Sequence, residues 1–242
     1  MTSMKSILAI LVAVFLSGCT SSRGFDRGEL NKSLQGSVQQ VTEDEIKQAY
    51  ELKPQLPSPY KLAVYFDEPK RNENYYYYRD QHPLWRGEDK DSILLIGKEL
   101  LEKGVISDMY VISSTEAASD LKSIRLSAAR HGADAVLIIN TVTDIDRYNN
   151  PWGVSYVLLV PMAFLPGSEM DALVMTKATM WDVKNQYLYL TAEAEGTDHQ
   201  TRPLMFIRET QATSNAKKIA LNALREELTT RLKKTAGVAE TR

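Results

Sequence analysis

The sequence predicts an α/β domain, of the α+β kind, with helices packed on a mixed sheet. Three features carry that expectation. Apolar runs of strand length alternate with amphipathic runs of helix length from residue 60 to residue 142. Two further apolar segments, 172–183 and 187–196, are joined through Lys184-Asn185-Gln186, a β-hairpin signal less specific than Asn-Gly. A final amphipathic run, 215–234, repeats Ala216, Ile219, Ala220, Ala223, Leu224, Leu228 and Leu232 at three- and four-residue spacing, which is helical. The expected order is β-α-β-α-β-β-β-α.

Each element has a local reason. Thr42-Glu43-Asp44-Glu45 fits a capping box and starts a short helix over 43–52. Pro54, Pro57 and Pro59 then force extended backbone. Tyr60–Phe66 reads as a buried strand. Residues 67–90 read as a long polar loop. Ile93–Lys103 reads as a helix capped by Asp91 or Ser92 and closed by Gly104. Asp108–Ser113 is a second strand, and Asp120–His131 a helix with Leu121, Ile124, Ala128 and Ala129 on its apolar face. Gly132 supplies the left-handed turn after it. Ala133–Val142 is nearly all apolar, as in a strand covered on both faces.

Composition narrows the function. The chain has 242 residues, 43% hydrophobic and 25% charged, which is globular. Lys and Arg number 29 against 31 Asp and Glu, so there is no basic excess to bind nucleic acid. A single cysteine excludes a disulfide framework, a CxxC pair and a cysteine-rich zinc site.

Residues 1–18 read as a signal peptide. Lys5 gives the positive start, and Ile7–Leu16 is an apolar stretch too short to span a bilayer. Leu16-Ser17-Gly18-Cys19 resembles the bacterial lipoprotein lipobox. The resemblance implies cleavage before Cys19 and a diacylglyceryl group on its sulfur, and two or three acyl chains anchor durably. The alternative is an ordinary signal peptide with a coincidental cysteine. Thr20, where an Asp would hold the protein at the inner membrane, implies by likeness to enterobacterial sorting an outer-membrane location, and the expectation is a domain facing the periplasm, with the cell exterior as the alternative. Residues 19–41 read as the lipidated N-terminus and a flexible tether, 42–235 as one periplasmic domain, and 236–242 as a disordered C-terminus.

The stretch Ala128-Ala129-Arg130-His131-Gly132-Ala133-Asp134-Ala135-Val136-Leu137-Ile138 is similar to periplasmic lipoprotein domains of the anticodon-binding-like fold. These include the curli secretion lipoprotein, the lipoprotein activator of penicillin-binding proteins and the N-terminal domain of the Tol translocation protein. In them a helix ends at Gly-Ala-Asp and feeds a central strand. The lipobox and the later Ala178-Thr179-Met180-Trp181-Asp182-Val183-Lys184-Asn185-Gln186-Tyr187-Leu188-Tyr189 also resemble rhombotarget-type lipoproteins. That likeness covers roughly residues 60–235. Members of that group often end in a Gly-Gly motif, an apolar stretch and basic residues. This chain ends Ala236-Gly237-Val238-Ala239-Glu240-Thr241-Arg242, so rhomboid-type processing is not implied. The resemblance implies binding and assembly roles and transfers no catalytic residue.

The candidate partner-binding residues are aromatic. Tyr75, Tyr76, Tyr77, Tyr78 and Trp85 lie in the 67–90 loop, where they either bind a partner or cover the sheet. Trp152 opens the apolar segment to Phe164, which reads as a buried strand and bend or else as an exposed hairpin for oligomerisation or membrane contact. No catalytic motif such as GxSxG, HExxH or a P-loop is present, and no metal site or cofactor is expected. His82, His131 and His199 lie far apart in sequence. Asp144-Ile145-Asp146 puts two carboxylates on one face of a strand, where a divalent cation or a solvated strand exit are the alternatives.

The expectation is a non-catalytic outer-membrane lipoprotein. It would act as a scaffold or assembly factor with an envelope protein partner, bound to the membrane through its lipid, with self-association left open. A glycan- or small-ligand-binding lipoprotein is the alternative. A hydrolase is the third reading, and it requires at least two of Asp144, Asp146, His131 and His199 to converge in a pocket.

Overall fold

The computed structural model describes residues 21–35, 42–68, 85–113, 120–158 and 163–240. The signal segment, Leu16, Ser17, Gly18 and Cys19 lie outside the described residues, as do Tyr75–Tyr78 and His82.

The elements in chain order are α1 (Arg27–Gln35), α2 (Glu43–Glu51), β1 (Tyr60–Phe66), α3 (Gly87–Glu102), β2 (Ile106–Ile112), α4 (Leu121–Arg130), β3 (Ala135–Asn149), β4 (Ser168–Asp182), β5 (Leu188–Arg202) and α5 (Glu209–Glu240). The strands form one mixed five-stranded sheet in the order β2-β1-β3-β4-β5. β1 runs parallel to both β2 and β3, while β3–β4 and β4–β5 are antiparallel. Among the described residues no helix is long and apolar enough to cross a membrane.

Local chemistry sets the boundaries. The capping box at Thr42 forms, with the Glu45 carboxylate accepting from the Thr42 amide at 2.7 Å. Gly104 and Gly132 both take positive φ, at 67° and 75°. Behind each glycine the chain folds back: the Val105 amide reaches the Leu100 carbonyl at 2.9 Å, and the Ala133 amide reaches Ala128 at 3.0 Å. Asp134 then ties the start of β3 to β1. Its carboxylate accepts from the Lys61 amide at 2.9 Å, and its own amide donates to the Lys61 carbonyl at 3.0 Å.

One sheet face packs against α3 and α5 through Leu62, Val64, Leu137, Ile139, Met180, Leu224 and Leu228. The other packs against α4 through Ala63, Tyr65, Val136, Ile138 and Ile124. Farther along, Ile145, Met170, Ala172 and Val174 meet Ala212, Ala216 and Ala220 of α5. Gly196 of β5 allows that approach, because a Cβ there would overlap the Ala216 carbonyl and the Ala220 amide.

Several expectations need correction. α3 begins at Gly87, not near Ile93, because the Asp89 carboxylate accepts from the Arg86 amide at 2.9 Å and caps a polar first turn that shows no apolar periodicity. Trp85, placed by the sequence in the 67–90 loop as either partner-binding or sheet-covering, is 8% exposed. Its ring meets Phe66 edge-on at 5.0 Å, and its indole N–H donates to the Asp67 carbonyl at 2.8 Å. The indole is thus a satisfied core side chain that covers the sheet.

Pro151–Leu158 is a 3₁₀ turn and not a buried strand. The ladder partners of β4 are already supplied by 135–149, so this segment is left as the connection. In α4, Ile124 and Ala128 are buried, but Ala129 is exposed. In α5, Ile219 is half exposed, and Ala212, Lys217 and Leu221 take the inward places. Residues 20–41, read from the sequence as a flexible tether, include α1, capped by Asp26 through the Glu29 amide at 2.9 Å.

Candidate functional site

β3 and β4 run past the parallel part of the sheet as a long ribbon, with β5 along its outer edge. Alternation along β3 puts Ile145 toward α5 and Asp144 and Asp146 on the opposite face. α4 does not reach that part of the face. The N-terminal segment covers it instead, with α1 packed against β3 and β4 and Leu34 buried.

The strap is held mainly by charge. Asp146 is 2% exposed, so its carboxylate needs donors. Ser22 Oγ donates to Oδ2 at 2.5 Å, and the Gly24 amide donates to the same oxygen at 2.9 Å. Gly24 has φ 70°, the left-handed conformation that turns its N–H inward. The Arg23 guanidinium pairs with Asp144, donates to the Ile145 carbonyl at 3.0 Å and lies 3.9 Å from the second Asp146 oxygen. Arg27 then forms a two-pronged pair with Glu195 of β5, at 3.1 and 3.2 Å. That hydrogen bond raises the Arg27 pKa. The carboxylate pair considered for a cation is therefore occupied by the chain's own arginine, serine and glycine. No group of three metal-ligating side chains occurs among the described residues.

A second row runs across the same face. Asp146, Asp171 and His199 are register partners on three adjacent strands. Asp171 accepts from the Tyr148 hydroxyl at 2.9 Å and meets His199 Nδ1 at 2.7 Å, while His199 Nε2 meets Thr201 Oγ1 at 2.9 Å. Burial, then the bond to Asp171, raises the Tyr148 pKa. The order carboxylate, imidazole, hydroxyl is the order of nucleophilic triads. Here it stands on an open sheet surface, with the His199 side chain 52% exposed.

His131 is not part of this row. It caps α4 beside the start of β3, its ring 5.2 Å from that of Tyr110. At about 3.3 Å per residue, Asp144 lies roughly 30 Å along the strand from there. Of the four hydrolase candidates, Asp144 and Asp146 are thus neighbours, Asp146 and His199 share a row, and His131 is remote.

Trp152, the remaining aromatic candidate, is 64% exposed. Its loop has a built base. The Asn150 side-chain amide donates to the Pro166 carbonyl at 2.8 Å, the Tyr156 hydroxyl donates to the Leu165 carbonyl at 2.8 Å, and the Gly167 amide donates to that hydroxyl at 2.7 Å.

The sequence reading missed the strap residues Ser22, Arg23, Gly24 and Arg27, and the Asp171-His199-Thr201 chain. The only sequence signal was the paired Asp144 and Asp146 in a strand with a basic, glycine-containing segment elsewhere.

Fold and site together define a class: a mixed-sheet α/β domain whose N-terminal segment is strapped by charge across the sheet face beyond its helices. Comparison with known proteins goes no further than this. No family model matches the sequence, and a search of curated proteins finds no match.

Distant likenesses exist among solved structures. A minor lipoprotein from Acinetobacter baumannii is 11% identical with a TM-score of 0.37, over 76% of this chain and 95% of that one. A Xanthomonas campestris protein described by the DUF330 family model is 13% identical with a TM-score of 0.36, over 78% and 94%. A PelC dodecamer from Paraburkholderia phytofirmans is 16% identical with a TM-score of 0.27, over 70% and 93%. At these scores the likenesses carry no argument about the site.

Proposed function

We propose that the protein is a lipid-anchored component of the bacterial outer membrane, its domain facing the periplasm, and that it works as a non-catalytic scaffold or assembly factor for another envelope protein. The observation that carries this reading is Leu16-Ser17-Gly18-Cys19 behind an apolar decamer, in a chain with a single cysteine. The strap supports it. Ser22, Arg23, Gly24 and Arg27 are fastened to the body, so an acyl chain on Cys19 would sit within about 11 Å of chain from a fixed point, at ~3.6 Å per residue. Thr20 supports the outer over the inner membrane. The Gly132-Ala133-Asp134 turn into a central strand supports the likeness to anticodon-binding-like periplasmic domains. The Asp171-His199-Thr201 chain is read as a cross-strand ladder.

Palmitate labelling with membrane sedimentation tests the anchor. The wild type incorporates label and sediments with membranes, and Cys19→Ala does neither. A wild-type chain that takes up no label overturns the reading.

A further inference from the structure

The ladder fixes which residues leave the sheet together. Asn149 at the end of β3 pairs with Ser168 at the start of β4, and Ser168 pairs with Arg202 at the end of β5. The segments after 149, before 168 and after 202 therefore emerge at one end. That end displays large apolar side chains to solvent. Trp152 is 64% exposed and Phe164 is 76% exposed. In the 3₁₀ turn Leu204–Phe206, all three of Leu204, Met205 and Phe206 are exposed too. From Tyr148 to Ser168 the sequence holds no charged residue, while Arg202 and Arg208 flank the 204–206 turn.

The described chain begins near the same end. Ser22 sits on Asp146, about 10 Å from Asn149 at ~3.3 Å per residue. From there the strap runs away from that end, since Arg27 meets Glu195, whose register partner is Met175. The first described residues thus lie toward the apolar end.

We infer that this end of the sheet is a second, non-covalent membrane contact: Trp152, Phe164, Leu204, Met205 and Phe206 enter the interface of the bilayer that holds the lipid on Cys19, with Arg202 and Arg208 at the headgroups. The inference rests on the lipoprotein reading. Three facts select a lipid surface as occupant. The described chain begins near this end, with Ser22 on Asp146, about 10 Å along β3 from Asn149 at ~3.3 Å per residue. The patch combines aromatic and aliphatic tips with flanking arginines, as interfacial segments do. The base under Trp152 is tied by hydrogen bonds, so the ring is presented outward by a built loop.

The test uses the full acylated chain in phosphatidylethanolamine–phosphatidylglycerol vesicles. With Cys19 lipidated, Phe206→Cys and Leu101→Cys each carry one free thiol for a nitroxide. Leu101 is exposed at the far end of the sheet, where α3 turns into β2. The label at 206 is expected to collide with oxygen and be shielded from a water-soluble nickel chelate, and the label at 101 to do the reverse. Brominated lipid is expected to quench wild-type tryptophan emission and to lose that effect in Trp152→Phe.

If the chain is acylated and sediments with the vesicles but both labels read aqueous, the anchor stands and this inference falls. If mass spectrometry finds Cys19 unmodified and the protein stays in solution, the lipoprotein reading fails and takes the inference with it. Spin–spin broadening at 206 without vesicles would make this end a contact between copies and also overturn it.

Discussion

Around β1 and the first part of β3, the sheet is buried on both faces, by α3 and α5 on one side and α4 on the other. Beyond Asn140 the ribbon of β3, β4 and β5 keeps α5 on one face and gives the other to the strap. Burial of apolar area holds the first region, at about 25 cal/mol per Å². Its elements therefore stand or fall together. The strapped face is held by a few charge-assisted bonds centred on one buried carboxylate, each worth about 1.5–3 kcal/mol. Such a contact can open without unfolding the sheet. The contrast separates what makes the fold from what attaches the N-terminus to it.

The largest effect is expected where a charge pair is buried in the doubly covered region. Lys217 Nζ of α5 lies 2.7 Å from Asp89 of α3, both nearly inaccessible, and 5.9 Å from the centre of the Trp85 ring. Lys217→Met strands the Asp89 carboxylate and should cost about 3–5 kcal/mol in urea unfolding. Asp89→Leu combined with Lys217→Met should recover most of that, because no charge is left behind. Equal losses in the single and double variants would show that the pair itself does not matter.

Next is Gly196→Ala, on the α5 face of the ribbon. The added methyl meets helix backbone, which cannot rotate aside, so a loss of about 1–3 kcal/mol is expected. An unchanged melting temperature would mean that α5 rides over the ribbon more loosely than its buried alanines indicate.

These two regions also differ in how far the sequence revealed them. The parallel part is written locally. Gly104 and Gly132 each stop a helix, Asp120 starts one through the Ser123 amide, and the apolar periods lie in between. The strap is not written locally. Among its described residues the one buried apolar side chain is Leu34, and its partners lie more than a hundred residues away, so a window along the chain sees polar residues with only scattered apolar ones. Trp85 was left between binding and covering for a related reason: its neighbours in sequence are polar, and its ring is buried by Phe66 and Lys217. Trp152 was legible as aromatic and apolar, but its exposure followed only once 135–149 and 168–182 had claimed each other.

A smaller and local effect is expected at the strap. Asp146→Ala removes the acceptor of Ser22 and Gly24. Amide exchange over residues 24–35 should quicken by roughly 10- to 100-fold, about the worth of one such bond (~1.5–3 kcal/mol), because the released Ser22 and Gly24 donors regain water. Exchange in β1 should not change. Faster exchange throughout would place Asp146 in the fold and not in the attachment.

The smallest effect is expected outside both regions, on the surface that joins α3 to α5. Glu99 accepts from Lys103 at 2.6 Å and from Lys233 at 2.7 Å. Those bonds, Lys103's first, hold its carboxyl down at about 2. A carboxyl whose pKa is lower folded than unfolded stabilises the fold above its unfolded value, and that contribution is lost as pH falls from about 4.5 toward 2. Glu99→Gln should therefore leave stability at pH 2 unchanged, reduce it slightly at pH 7, and flatten the acid limb between. Because the group is solvent-exposed, 1 M salt should shrink the difference at pH 7, since charges at the surface are screened over about 3 Å at that strength. A Glu99→Gln difference that persists in salt would have to come from helix packing between α3 and α5, and the pH dependence would then belong to other carboxylates.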